Sequence, residues 1–298
     1  MIAKGSKTIV SMSLRRFIRG VCYVLLMSSG LLQAAHAPFT VTVATPKYVA
    51  RTFLLWQQKT PCQQVKQYSS PYASRGTVEL VIICRALYEA GLNFSLDLLE
   101  APNYSRALLD VKSGRAIISA ETVWDQEITE DFHVSKLIIP SNKFVKGVYV
   151  RLGDNRLNNV RNIDDLRKFR GVMVKNWIID WYTMENMNLT MFPVNSIESL
   201  YYMIETERAD YTLLEFNQAA HQARRVKHIQ LQIVPGIKIR LEGERFFVVS
   251  KKAKYHDLVF SFLQQGLDVL QKNGEIHRAY QESGFFNPVM QDWILLNP

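Results

Sequence analysis

One pattern constrains this chain more than any other: a helix, a charged turn and a short apolar strand, in the same order at two distant places. Residues 105–119 read "SRALLDVKSGRAIIS" and residues 199–212 read "SLYYMIETERADYT". A helix that carries the chain from one strand to a parallel neighbour builds a parallel sheet with helices on its faces. Around the first copy, residues 39–43 alternate as a strand, and residues up to about Gly76 form a polar stretch rich in Gln, Ser and Pro. Residues 78–90 read as a buried helix closed by Gly91, and 94–99 as a strand. Asn103 is placed to cap a helix over 104–112, and 116–119 form a short buried strand. The middle repeats this grammar. Asn162 caps a helix over 163–169, 172–174 is a strand, 178–187 a helix and 190–193 a strand. Ser196 caps 197–206, 211–214 is a strand and 218–225 a helix. The tail adds a strand over 245–249 and helices over 258–271 and 275–282. The expected class is α/β, in two similar halves.

Composition narrows the function. The 298 residues carry 36 Lys and Arg against 27 Asp and Glu, a formal charge of +9. Five of the basic residues, Lys4, Lys7, Arg15, Arg16 and Arg19, lie in the first 37 positions, which hold no acid. The remainder has 31 basic against 27 acidic residues, or +4. A near-balanced body gives no case for nucleic acid or a membrane surface as partner. The first 37 residues read as an export signal: Arg15, Arg16 and Arg19, then an apolar run over 20–32, then Ala34, Ala35 and Ala37. Cleavage is expected within 34–37, giving a soluble periplasmic product. In that compartment Cys62 and Cys84 are candidates for a disulfide, the alternative being a free Cys84 buried in a helix. Histidines 133, 221, 228, 256 and 277 fall into no metal spacing, and no metal or cofactor is expected. The chain also lacks G-x-S-x-G, P-loop and G-x-G-x-x-G patterns.

Four stretches together resemble the family 3 extracellular solute-binding proteins of ABC uptake systems. They are "VELVIICRALYEAGLNFSLDLLE" with "YSRALLDVKSGRAIIS"; "VSKLIIPSNKFVKGVYVRLGD"; "IDDLRKFRGVMV" with "SIESLYYMIETERADYTLLEFNQAA"; and "GERFFVVSKKAKYHDLVFSFLQQGLDVLQKNGEIHRAYQESGF". The resemblance implies a two-lobed periplasmic-binding-protein-like fold of type 2, its lobes joined by two hinge strands near 143–148 and 242–247. Lobe 1 would hold 38–145 and 242–298, and lobe 2 would hold 146–241. It also implies a monomer that binds a small polar solute in the cleft, without catalysis. The solute would pass to an ABC transporter permease; a sensory module reporting to a membrane receptor is the alternative. An enzyme on the same fold is the third reading, with Glu121, Asp125 and Glu127 as its acid–base groups.

The resemblance also implies where ligand contacts fall. The loop after the first strand offers Thr45, Lys47 and Tyr48. The end of the third offers Ser119 and Thr122, with Glu121 beside them. Glu215, in "ADYTLLE", matches the carboxylate that receives an amino group. The loop after "GVMV" offers Lys175, Asn176 and Trp177, with Trp124 a second aromatic candidate and Trp181 a core residue. Amino-acid binders place an arginine in the segment "SAETVWDQEITEDFHVS"; here the position counts to Glu127, either a cleft acid or a solvated one. Arg106, in "PNYSRA", is either an anion contact or the partner of Asp110 at i+4. An acid in place of the arginine points to an amine-bearing solute rather than an ordinary α-amino acid.

Overall fold

The computed structural model describes residues 38–219 and 222–297. The expected export signal lies outside the described residues. Strand β1 (Phe39–Pro46) lies parallel to β2 (Phe94–Ala101) and β3 (Ile118–Ser119). These are the crossover units expected from the pattern. Helix α1 (Lys47–Gln57) leaves β1 directly. It was not legible in the sequence, because its N-cap is Pro46 and its first turn holds no acid. Its buried Val49, Ala50, Phe53 and Trp56 nevertheless form one apolar stripe within the stretch that reads as polar.

Helix α2 (Arg75–Glu89) begins at Ser74, whose side chain accepts from Thr77 N. Nearly every residue from Gly76 to Leu87 is buried, including Glu79. A helix apolar all round belongs inside a core. Asn103 caps α3 (Tyr104–Lys112) by accepting from Arg106 N.

Beyond β4 (Val123–Trp124) and β5 (Phe132–Ile139), the chain enters a second sheet through β6 (Val145–Arg151). Asn162 caps the short α4 (Ile163–Leu166), which stops before Phe169. Next come β7 (Gly171–Val174), α5 (Ile178–Asn186), β8 (Met191–Val194), α6 (Ile197–Glu205) and β9 (Thr212–Glu215). A helix is expected over 218–225, but among the described residues of that range Arg224–Val226 is strand β10, paired antiparallel with β11 (Ile229–Arg240). The chain returns through β12 (Arg245–Ser250) to α7 (His256–Lys272), α8 (Glu275–Glu282) and a last strand, β13 (Ile294–Leu295).

The first sheet runs β2-β1-β3-β12-β4, with β5 also on β12; β12 is antiparallel to its neighbours. The second runs β10-β11-β6-β9, and β13 joins it on β11. Parallel β7 and β8 meet β9 through a bridge from Gly171 to Tyr211. Val41, Leu80, Ile82, Phe247, Leu263 and Tyr280 pack in the core beside the first sheet. Val148, Met173, Leu213, Ile237 and the tail's Leu296 pack in a core beside the second.

Cys62 and Cys84 are disulfide-bonded, with Cα atoms 6.0 Å apart and a separation of 22 positions in sequence. The bond ties the loop after α1 to the middle of α2. A loop of that length should contribute about 3 kcal/mol by constraining the unfolded chain. Replacing both cysteines by serine should lower the urea unfolding free energy by that amount, and dithiothreitol should bring the parent chain to the same value. Equal stability with and without the bond would contradict this.

Candidate functional site

The site forms where β1, β3 and β9 end and β6 begins, near the first turns of α2 and α5. Its centre is Arg75, at the first position of α2. The Arg75 side chain is only 9% exposed and binds three carboxylates. Nη1 donates to Glu79 Oε2 at 2.7 Å, Nη2 to Glu121 Oε1 at 2.9 Å and Nε to Glu215 Oε1 at 2.8 Å. Glu79 comes from the same helix, Glu121 follows β3 of the first sheet, and Glu215 ends β9 of the second. One guanidinium therefore joins groups from both sheets.

Each carboxylate has further partners. Glu79 accepts from Thr122 N, Thr122 Oγ1 and Tyr280 Oη, all buried. Glu121 accepts from Tyr48 Oη at 2.8 Å. Gly76 keeps the approach open: a Cβ there would stand 2.7 Å from Glu121 Oε1 and 2.8 Å from Val49 Cγ2. Burial pushes the Glu121 carboxyl above its ordinary range; Arg75 opposes the shift and Glu79 adds to it. Burial acts upward on Glu215 as well, but Arg75 and Lys146 overcome it and hold Glu215 low.

A second pair flanks the first. Lys146 on β6 is buried, and its Nζ donates to Asp180 Oδ1 of α5 at 2.5 Å. The same ammonium lies 4.7 Å from the Trp177 ring centre. Arg245, at the start of β12, is 3% exposed. It donates from Nε to Thr122 Oγ1 at 2.8 Å and from Nη2 to the Thr122 carbonyl. Its guanidinium lies 4.5 Å from the Trp124 ring centre. The chain's own cations thus cover the faces of both tryptophans.

Most of the residues singled out from the sequence come together here. Tyr48, Glu121, Thr122, Trp124, Trp177 and Glu215 all belong to the cluster. Ser119 is buried at the end of β3, its Oγ without a hydrogen-bond partner. Glu127 lies at the edge of the cluster: it accepts from Trp124 N at 3.4 Å and from Tyr104 Oη at 2.5 Å. With Ser105, Leu108, Phe132, Asn176 and Ile178 it lines a surface cavity of about 400 Å³. Asn176 accepts from Ser105 Oγ through its carbonyl. Arg106 is half exposed and sits 3.5 Å from Asp110, the i+4 pairing that the sequence held open.

Arg75, Glu79, Lys146, Asp180 and Arg245 were not singled out. Arg75 and Glu79 carried a signal, an i, i+4 pair of opposite charge at a helix start. Lys146, Asp180 and Arg245 carried none, since their partners lie far away in sequence.

Among solved structures, a probable amino-acid ABC transporter extracellular-binding protein from Bacillus subtilis aligns over 84% of this chain and 100% of its own, with 14% identity and a TM-score of 0.56. The chain has the two-lobed periplasmic-binding-protein-like fold. An ancestral amino acid-binding protein, a precursor of cyclohexadienyl dehydratase, shares this fold over 89% of the chain and 99% of its own (11% identity, TM-score 0.51). So does an ancestral arginine-binding protein bound to arginine, over 85% and 100% (10% identity, TM-score 0.50). No protein-family model matches the sequence, and no curated protein aligns with it significantly. In this fold the cluster's two sides, Glu121 and Glu215, come from different sheets.

Removing one partner of a buried ion pair strands the others and costs about 3–5 kcal/mol. Arg75→Met should show a loss of that size in urea unfolding. Glu215 gives the pH test. Its folded pKa is depressed, so its contribution is present above the unfolded value, about 4.3, and is lost as pH falls through the lower folded value. Glu215→Gln should therefore be destabilised at pH 7, with the gap to the parent chain closing below about pH 4. A gap that stays constant from pH 7 to pH 3 would contradict the ion pair.

Proposed function

We propose that this chain is a solute-binding protein that captures a small amine-bearing solute between two lobes and delivers it to an ABC-type transporter. The lobes are 38–145 with 242–298, and 146–241; the final strand β13 reaches across to the second sheet. The hinge strands are near 143–148 and 242–247. The protein works as a monomer in the periplasm, after export removes its first 34 to 37 residues. Binding leaves the solute chemically unchanged.

The observation that carries this reading is the meeting of Glu121 and Glu215 on one guanidinium. Carboxylates from both sides of a cleft suit a cation held between them. The charges around them speak against an α-carboxylate as the principal anchored group. Arg75 uses Nε, Nη1 and Nη2 on acids, Lys146 is bound to Asp180, and Arg245 is turned onto Thr122 and Trp124. A carboxylate taken from water needs a cation that is not already neutralised. Arg75 occupies the place of the solute's cationic group while no solute is bound, and an arriving amine displaces its bond to Glu215. Ser119, with its buried unpartnered hydroxyl, and Tyr48 are the polar contacts on the first-lobe side.

A melting screen of diamines, neutral amino acids and organic acids tests this. A ligand at 100 times its dissociation constant stabilises the folded form by about 2.7 kcal/mol. A diamine should raise the melting temperature, and Glu121→Gln and Glu215→Gln should each abolish the rise. A rise with a neutral amino acid, lost in Arg106→Ala, would overturn the cationic-solute reading and make Arg106 the carboxylate anchor.

A further inference from the structure

The two histidines that sequence spacing left unconnected, His133 and His256, are 123 residues apart and meet on the surface of the first sheet. His133 projects from β5, where it is paired in register with Val249 of β12. His256 and Asp257 form the first turn of α7. His133 Nε2 lies 2.8 Å from His256 Nδ1. Asp257 Oδ1 lies 3.2 Å from each of these nitrogens. Three donor atoms thus form a nearly equilateral triangle.

Protons alone fit this triangle poorly. Two neutral imidazoles can share one N–H across the 2.8 Å contact. The carboxylate then faces a nitrogen lone pair with no proton between them. A metal ion resolves it without a proton. Zinc bonds to histidine nitrogen and carboxylate oxygen are about 2.0–2.2 Å long, which sets neighbouring ligand atoms roughly 2.9 Å apart at right angles and roughly 3.4 Å apart at tetrahedral angles. The observed 2.8–3.2 Å separations fall close to that range.

We propose that His133, His256 and Asp257 form a binding site for a divalent transition metal of the zinc class. Two imidazoles and one carboxylate suit Zn²⁺, Ni²⁺ or Cu²⁺ better than Mg²⁺ or Ca²⁺. The ligands stand on rigid supports. The His133 ring stacks on Phe260 of α7, with centroids 4.9 Å apart. Tyr255, in the left-handed region at φ 63°, makes the turn that presents His256. Asp257 supplies the negative charge that offsets the positive end of α7. Its side chain is 81% exposed, which leaves the outer side of the triangle open to solvent for a water or another ligand. The bound ion would cross-link β5 to α7 in the first lobe, away from the Arg75 cluster and independent of the solute proposed there.

The test is a titration of the full, untagged chain with zinc chloride, followed by calorimetry and by thermal melting. One Zn²⁺ per chain should bind with micromolar or tighter affinity and raise the melting temperature. His133→Ala and His256→Ala should each weaken binding at least tenfold and remove the melting shift. Asp257→Asn removes an exposed ligand and should weaken zinc binding while the chain still melts cooperatively in EDTA. Absence of zinc binding by the parent chain would overturn the site. So would undiminished binding by a folded His133→Ala/His256→Ala double variant.

Discussion

The Arg75 guanidinium among three carboxylates is the interaction on which the middle of this molecule depends. A single cation cannot cancel three full charges, and the arrangement persists because each acid has other donors. Glu79 takes three hydrogen bonds from Thr122 and Tyr280, and Glu121 takes one from Tyr48. Glu121 is pushed toward protonation, whereas Glu215, with Lys146 nearby, is held ionised. The cluster is therefore unequal, and Glu215 is its most exposed acid, at 23%. That is the member an incoming cation reaches first.

The surrounding architecture serves this arrangement. Ser74 fixes the first turn of α2, so Arg75 emerges at the helix start rather than along its buried face. Gly76 lets the Glu121 carboxylate come close to that turn. The second sheet places Lys146 and Glu215 opposite each other in the β6–β9 register, so one acid and one base face the same region. Trp124 and Trp177 pack against Arg245 and Lys146 and shield those charges from water. Buried ion pairs contribute little to net stability, but removing one partner is costly because it strands the other. Here one such cluster joins the two sheets.

Much of the fold was legible because local chemistry and tertiary structure agree. Asn103, Asn162 and Ser196 cap where their side chains suggest, and α8 occupies the range its pattern gives. Helix α1 was hidden because it starts at Pro46 with no capping side chain, and its stripe is interrupted by polar residues. At 218–225 the helical pattern lost to pairing of Arg224–Val226 with β11, a long strand that offered an edge. The site was half legible. Glu121 and Glu215 stand at strand ends, where an α/β fold gathers ligands. The partners of Glu127, Tyr104 Oη and Trp124 N, could not be inferred from spacing. The bonds of Arg75 to Glu121 and Glu215, Lys146–Asp180 and His133–His256 are long-range pairings, and no local periodicity encodes them.

On this reading the Arg75–Glu215 bond clasps the two lobes when no solute is present. Spin labels at Leu54 of α1 and Tyr182 of α5, both exposed positions, report the separation directly by pulsed electron resonance. The parent chain without ligand should give one narrow, short distance distribution. Glu215→Gln should broaden it and shift it to longer distances. Superimposable distributions for the two chains would show that the ion pair does not hold the lobes together, and would contradict the account.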